Sequence, residues 1–292
     1  MRRVLITGAG SYVGGWVRRR LEREPEKYSV KELDVQDDSW RDFDFSGFDT
    51  VYHVAGIAHV STDPSMEGLY YRVNRDLAIE VGERAKASGV RQFIFMSSSI
   101  VYGDSSDYDN GPITRETPAN PENFYGRSKL EAELGLQNLA SEKYGVAILR
   151  CPMIYGPGCK GNFPVLAGLA KKLPIFPKVT NRRSVLYVEN LAEFVAQVIT
   201  RGLSGMFWPQ NSEYMSTSDA VQLLGEAQGS PVYVTGLLSP VAWLALRITD
   251  AGRKAFGSLY YDMSLSECGF DYRAYSFEQS IKCFVSKASD AS

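Results

Sequence analysis

Tyr125 and Lys129 stand four residues apart in Tyr125-Gly126-Arg127-Ser128-Lys129, so on a helix a phenol and an ammonium share one face. A free tyrosine titrates near ~10 and is a poor base at neutral pH. A lysine ammonium beside it, together with the positive charge of an oxidised nicotinamide, favours the phenolate and lowers that value. The pair then becomes a proton shuttle matched to hydride transfer. The spacing also arises by chance on solvated helices, so it counts only alongside other pieces. One is the run Ser97-Ser98-Ser99 at the end of an apolar segment. Another is the stretch from Val4 to Gly14, where a short apolar strand meets a glycine turn and then a helix expected to begin near Gly15. Gly8, Gly10 and Gly14, with Ser11, Tyr12 and Val13, would bring backbone N–H groups and the positive end of a helix dipole to one point, where a pyrophosphate is stabilised. Such turns also close strand–helix junctions that bind nothing. Ser11 takes the middle-glycine place of a Thr-Gly-x-x-Gly-x-x-Gly pattern and is small enough to allow close backbone approach.

The elements that must position these groups alternate short apolar runs with amphipathic segments, the signature of parallel βαβ units. Strands are expected at 29–35, 50–55, 93–96 and 146–150, and helices from the glycine turn to Glu24, over 69–88 closed by Gly89, and over 121–144 closed by Gly145. Each strand delivers its polar residues at its C-terminal end, the edge where open α/β sheets bind ligands. Beyond Cys151 prolines break the rhythm; a strand at 185–188 and a helix at 189–200 read as a return to the sheet. Strands near 206–208 and 232–235 and helices near 218–227, 241–251 and 277–286 read as a smaller cap. The expected fold is therefore α/β: a Rossmann-like, doubly wound parallel sheet over 1–157 with 185–203 returning to it, and a substrate-binding α/β cap from 158–184 and 204–292.

Composition narrows the function. A chain of 292 residues can bury a large core, and 44% hydrophobic with 23% charged residues is ordinary for a soluble protein. With 32 basic against 34 acidic residues and no basic run longer than Arg18-Arg19-Arg20, nucleic acid is not the expected partner. Cys151, Cys159, Cys268 and Cys283 lack metal-ligand spacing and read as reduced, mostly buried thiols of a cytoplasmic protein, with no metal site. Neither a signal peptide nor a membrane span is expected. Residues 237–248 are apolar but too short to cross a bilayer, and Pro240 lies within them; a core or lid helix is the favoured reading, a helix at a protein or membrane surface the other.

Taken in order, Thr7–Gly14, Val51-Tyr52-His53-Val54-Ala55-Gly56, Asn74, Ser97–Gly103, Tyr125/Lys129, Leu149–Pro152, Tyr155-Gly156-Pro157 and Arg183 through Leu191 resemble the extended short-chain dehydrogenase/reductases of the NAD-dependent epimerase/dehydratase family, over nearly the whole chain to about Ile281. The resemblance implies roles. Ser98, four before Tyr102, would hydrogen-bond the reacting oxygen; Tyr125 would be the acid/base; Lys129 would bind the nicotinamide ribose while tuning Tyr125. Ala55 and Gly56 would let the cofactor pass close to the backbone, Asn74 would fix the main chain there, and Pro152 would close over the nicotinamide. Ser97 and Ser99 read as strand-end caps, Ser99 with a substrate contact as its alternative. His53 reads as a packed strand residue, and His59 as a loop residue able to touch substrate.

Asp34 falls 20 residues after Gly14, where a carboxylate holds a ribose diol, which favours NAD with NADP possible. Compared with the family it resembles, the segment 29–49 looks short by one strand, so Asp34 would alternatively face the adenine while Gln36 or Asp37 reads the ribose. Family members that eliminate water need carboxylic acids immediately after the catalytic Ser/Thr, and Ser99 and Ile100 stand there instead. A 4-epimerase or a 4-keto reductase of a nucleotide sugar remains, in keeping with surface-polysaccharide assembly. Arg183 suits a diphosphate or sugar, Asn162 a sugar or uracil, and Arg273 is a weaker candidate for a second phosphate. Two other readings are a reductase of small hydrophobic or steroid-like ketones and a dinucleotide-binding sensor without turnover. A homodimer through the helices bearing Asn74 and Tyr125 is expected from the resemblance.

Overall fold

A computed structural model describes residues 1–57, 63–103 and 111–289. Its first half runs β1 (Arg2–Thr7), α1 (Tyr12–Leu21), β2 (Tyr28–Leu33), β3 (Thr50–His53), α2 (Glu67–Tyr70), α3 (Leu77–Ala87), β4 (Gln92–Ser98), α4 (Phe124–Gln137) and β5 (Gly145–Cys151). Then follow β6 (Met153–Tyr155), α5 (Asn162–Lys172), β7 (Ile175–Pro177), β8 (Val185–Tyr187), α6 (Val188–Arg201), β9 (Gly205–Phe207), α7 (Thr217–Ala227), β10 (Tyr233–Thr235), α8 (Ser239–Ile248), α9 (Asp250–Phe256) and α10 (Phe277–Ser289). Six strands form a parallel sheet in the order β2-β1-β3-β4-β5-β9.

The apolar runs that lack alternation in sequence are buried on both faces, as a covered parallel sheet requires. Val4, Ile6, Ile94, Ala147 and Leu149 pack with Val17 of α1 and Leu191 and Val195 of α6. Leu5, Phe93, Phe95, Val146 and Ile148 face the other way, onto Val81 and Ala85 of α3 and Ala132 and Leu136 of α4. Helices on both faces make the sheet doubly wound, and every parallel strand ends toward the same edge.

Several boundaries differ from the sequence reading. Helix α1 starts at Tyr12, because the Ser11 side chain accepts the Gly14 N–H at 3.2 Å and caps it, and it stops at Leu21, its last buried residue. Helix α4 ends at Gln137: Tyr144 turns into the core, where its hydroxyl donates to the Gly82 carbonyl at 2.7 Å, and Gly145 opens β5. Gly89, at φ +82°, closes α3 as expected. The strand at 185–187 pairs with β6 in a separate ladder; the chain returns to the sheet through α6, packed on α1, and through β9. All four cysteines are free, but only Cys151 is buried and the others are half-buried. Helix α8 is neither core nor lid interior: Val241, Trp243, Leu244 and Ile248 are each more than half exposed. Among the described residues no helix is long and apolar enough to cross a membrane.

Candidate active site

The C-terminal ends of β1 and β3 meet with almost no side chain between them. Gly8 and Gly10 take φ +109° and +73°, conformations that favour glycine, and a Cβ at Gly8 would lie 2.8 Å from the Ala55 nitrogen. The N–H groups of Gly8 and Ala9 both donate to the Leu33 carbonyl, which ties the turn to the end of β2. Asp34 follows at once, exposed, with its Oδ1 accepting the Gln36 N–H at 2.9 Å. Asp37 caps the short helix that begins at Asp38, accepting the Ser39 N–H, so it is held in that turn. Only a 3₁₀ turn, Asp38–Asp42, separates β2 from β3, and β2 is the sheet's edge.

Beyond Ala55 the bare backbone continues to Gly56, where a Cβ would meet Asn74 Oδ1 at 2.9 Å and Lys129 Nζ at 3.1 Å. Asn74 is fully buried within Tyr71–Asp76, a π-helical segment between α2 and α3. Its amide accepts the Ile57 N–H at 2.8 Å and donates to the Ile57 carbonyl at 3.2 Å and to Ser128 Oγ at 3.3 Å. Such π segments widen a helix by one residue and often mark functional sites. Here it turns Asn74 inward to hold the chain after β3. A corridor that side chains would fill, at the strand ends of an α/β sheet and beside an N-terminal helix end, fits a dinucleotide.

Ser98, Tyr125 and Lys129 converge at the far end of this corridor. Ser98 ends β4, and its Oγ accepts the Ile100 N–H at 3.3 Å, capping the 3₁₀ turn Ser99–Tyr102. Helix α4 starts at an Asn123 cap and reaches that turn because Gly126 has no side chain: a Cβ there would lie 2.8 Å from the Ile100 carbonyl oxygen. Tyr125 packs edge-on against Tyr70, and its phenol lies close to the Ser98 hydroxyl. Burial pushes that phenol up to about 12, against the lowering influence of the nearby Ser98 hydroxyl, so the protein alone keeps it protonated. The lowering expected from Lys129 acts together with the positive charge of an oxidised nicotinamide, and burial is what it must offset. Lys129 is buried, donates to the Met96 carbonyl at 2.9 Å and sits 4.7 Å from the Phe95 ring centre; loss of hydration brings its ammonium down to about 8.

Beneath Lys129 lies a buried pair that the sequence reading passed over. Arg150 Nε and Nη2 donate to Glu133 at 3.1 and 2.6 Å, Ser97 donates to the same carboxylate, and Arg150 Nη1 donates to Tyr102 Oη at 2.7 Å. The Trp208 indole N–H also donates to Tyr102, at 2.8 Å. The signal was present: Glu133 is four residues past Lys129, on the same helix face. The two strand-end serines are thereby reassigned, since Ser97 binds Glu133 and the cap is Ser98. Ser99 is half-buried at the start of the turn, and Pro152 is buried between β5 and β6. His53 is fully buried between Phe93 and Phe95, its Nδ1 hydrogen-bonded to Thr7 Oγ1 at 2.8 Å; burial, then the Lys129 charge, bring it down to about 3 and keep it neutral. His59 lies outside the described residues.

Asn162 and Arg183, far apart in sequence, line one cavity of about 250 Å³ together with Met153, Val165 and Leu169. Arg183 is fixed by backbone bonds to Met215 at 3.0 and 2.9 Å. Arg273 is spent elsewhere, donating to the Gln210 carbonyl at 3.1 Å and stacking on Tyr272. Met153, which lines the cavity, follows Pro152 two residues after Cys151, the β5 residue paired with Ser98.

The chain is 31% identical over 253 residues to a UDP-glucose 4-epimerase of Vibrio cholerae, covering 79% of this chain and 77% of that protein. It is 32% identical over 212 residues to an N-acetyl-alpha-D-glucosaminyl-diphospho-ditrans,octacis-undecaprenol 4-epimerase of Escherichia coli O157:H7, covering 66% of this chain and 61% of that protein. In fold it matches the crystal structure of a UDP-glucuronic acid 4-epimerase from Bacillus cereus in complex with NAD, with a TM-score of 0.74 and 17% identity over 99% of both chains. A family model described as NAD dependent epimerase/dehydratase matches residues 4–207, a span that takes in the glycine turn, Asn74, Ser98, Tyr125, Lys129 and Arg183. The chain thus belongs to the NAD dependent epimerase/dehydratase family, within the extended short-chain dehydrogenase/reductases.

Proposed function

We propose that this protein is an NAD-dependent 4-epimerase of a nucleotide-linked hexose. The observation that carries the reading is the convergence of Ser98, Tyr125 and Lys129 on the side-chain-free corridor at Ala55 and Gly56. Residues 1–157 with α6 and β9 (188–207) would hold the cofactor, β9 being a strand of its sheet rather than of the cap expected over 204–292, and 158–187 with 208–292 would hold the substrate. Gly8, Gly10, Ser11, Tyr12, Val13 and Gly14 would face the pyrophosphate, Asp34 the adenosine ribose, and Asn74 and Pro152 the nicotinamide end. Asn162, Arg183 and Ser99 would contact the nucleotide sugar. Homodimerisation through the helices bearing Asn74 and Tyr125 belongs to the same reading. So does a place in surface-polysaccharide assembly, which the lipid-linked sugar named for the E. coli relative favours.

NAD, held by the glycine turn, Ala55, Gly56 and Lys129, would supply a reversible hydride acceptor for the sugar carbon. The chain's own residues handle the proton. Tyr125 Oη takes it from the sugar hydroxyl as the carbonyl forms and returns it after the ring has turned over, while Ser98 Oγ hydrogen-bonds the same oxygen. A phenol held near 12 by burial is a strong base once deprotonated, so positive charge must offset its burial for turnover at neutral pH. Lys129 supplies one such charge from the same helix face. Arg183 would neutralise diphosphate charge at the other end of the substrate.

The test is conversion of UDP-glucose to UDP-galactose followed by proton NMR, with the cofactor content of the purified protein measured alongside. Retained NAD and sugar interconversion without net redox change are expected. Tyr125→Phe should lower turnover by roughly 10²–10⁴-fold and leave cofactor binding intact. Stoichiometric consumption of NADH or NADPH by a 4-keto sugar would replace the epimerase reading with the reductase one. Full activity of the Tyr125 variant would remove the mechanism.

A further inference from the structure

Helix α8 is built inside out. Its inward face is small: Ala242 is buried, and Ala245 lies so close to α9 that a Cβ at Gly252 would overlap the Ala245 carbonyl. Its outward face carries Val241, Leu244 and Ile248 at helical spacing with Trp243 beside them, and Leu237 just before it is 90% exposed. The surface does not end with the helix. Ser239 donates to the Lys178 carbonyl, and β10 pairs with β7 so that Tyr233, 73% exposed, stands opposite Ile175. A contiguous apolar face of this kind on a folded protein marks an interaction site.

Charge says what the face meets. The chain as a whole has 32 basic and 34 acidic residues, yet residues 151–188 hold six Lys/Arg and no Asp/Glu, and residues 229–261 hold three Lys/Arg and only Asp250. These two segments build α5, β7, β10, α8 and α9. Lys171, Lys172 and Lys178 are exposed, and none of the three ammonium groups has a carboxylate partner among the described residues. Arg247 lies over the Trp243 ring at 3.9 Å, so an aromatic and a cation share the outer side of α8. A two-fold contact with a second copy would set this basic surface against itself. An anionic bilayer supplies both the apolar phase for Leu237, Trp243 and Leu244 and the counter-charge for the lysines.

We propose that the face formed by α8, β7, β10 and the end of α5 docks this protein on the surface of a bilayer containing anionic lipid. The cavity lined by Asn162 and Arg183 has α5 and α9 as walls, so docking sets the substrate cavity close to the headgroups. The inference goes beyond the epimerase reading and does not depend on it.

The experiment is flotation of the full chain with vesicles of phosphatidylcholine alone and of phosphatidylcholine mixed with phosphatidylglycerol, with tryptophan emission recorded in parallel. Trp16, Trp40 and Trp208 are buried, so a blue shift on adding vesicles reports Trp243. Expected are flotation and a blue shift with the anionic vesicles, both weakened by salt. Leu237→Glu with Leu244→Glu should reduce binding at least about tenfold, and Lys171→Glu with Lys172→Glu should weaken it several-fold, as loss of charge attraction requires. All these side chains are exposed, so the variants should keep the thermal stability of the parent. Absence of flotation from both vesicle types would overturn the proposal. So would a concentration-dependent dimer that Leu237→Glu with Leu244→Glu dissolves, which would assign the face to self-association.

Discussion

Replacing Lys129 by methionine should stabilise the fold while abolishing turnover. Lys129 is 5% exposed, and among the described residues its ammonium has one hydrogen bond, to the Met96 carbonyl at 2.9 Å, while the nearby Glu133 carboxylate is already engaged by Arg150 and Ser97. An ammonium held at about 8 instead of 10.5 costs roughly 3 kcal/mol of folding stability at neutral pH, since each tenfold loss of proton affinity is about 1.4 kcal/mol. Methionine keeps the unbranched stem and removes that penalty; losing the bond to Met96 takes back about 1 kcal/mol. A net gain of about 2 kcal/mol at pH 7 follows. The folded value lies below the unfolded one, so the penalty is complete below about pH 8 and fades as the pH rises from there to 10.5. Urea unfolding at neutral and alkaline pH should therefore give a variant with a clearly higher midpoint at neutral pH and no advantage at the alkaline end. A midpoint equal to or below that of the parent at neutral pH, with a difference that does not change with pH, would refute the reasoning.

Glu133→Gln should cost about 3–5 kcal/mol, because Arg150 is left charged and buried without its partner, and combining it with Arg150→Met should recover part of the loss in the same unfolding assay. Gly126→Ala forces a Cβ to within 2.8 Å of the Ile100 carbonyl oxygen, so stability should fall by about 1–3 kcal/mol and kcat with it, as Tyr125 moves off Ser98; steady-state kinetics beside a thermal melt would show whether both fall. On the proposed contact of Asp34 with the ribose diol, Asp34→Ala should narrow a preference for NAD over NADP by about ten- to a hundredfold in titrations of the two cofactors, the worth of one charged hydrogen bond.

The sequence by itself determined the parallel sheet, the glycine turn, and the order in which Ser98, Tyr125 and Lys129 arrive. These depend on short-range patterns: unbroken apolar runs, positive-φ glycines, and the four-residue repeat of a helix face. Element ends were less legible. Tyr144 looks like the last turn of α4 until its hydroxyl finds Gly82. The strand at 185–187 looks like a return to the sheet until β6 takes it as a partner. Only the tertiary structure decided that Glu133 meets Arg150, that Asn162 and Arg183 share a cavity, and that burial raises the Tyr125 phenol. It also decided that the apolar side of α8 faces outward. The reason is physical: proton affinities, buried ion pairs and cavity linings depend on what surrounds a group in space, and those neighbours come from strands and helices tens or hundreds of residues away.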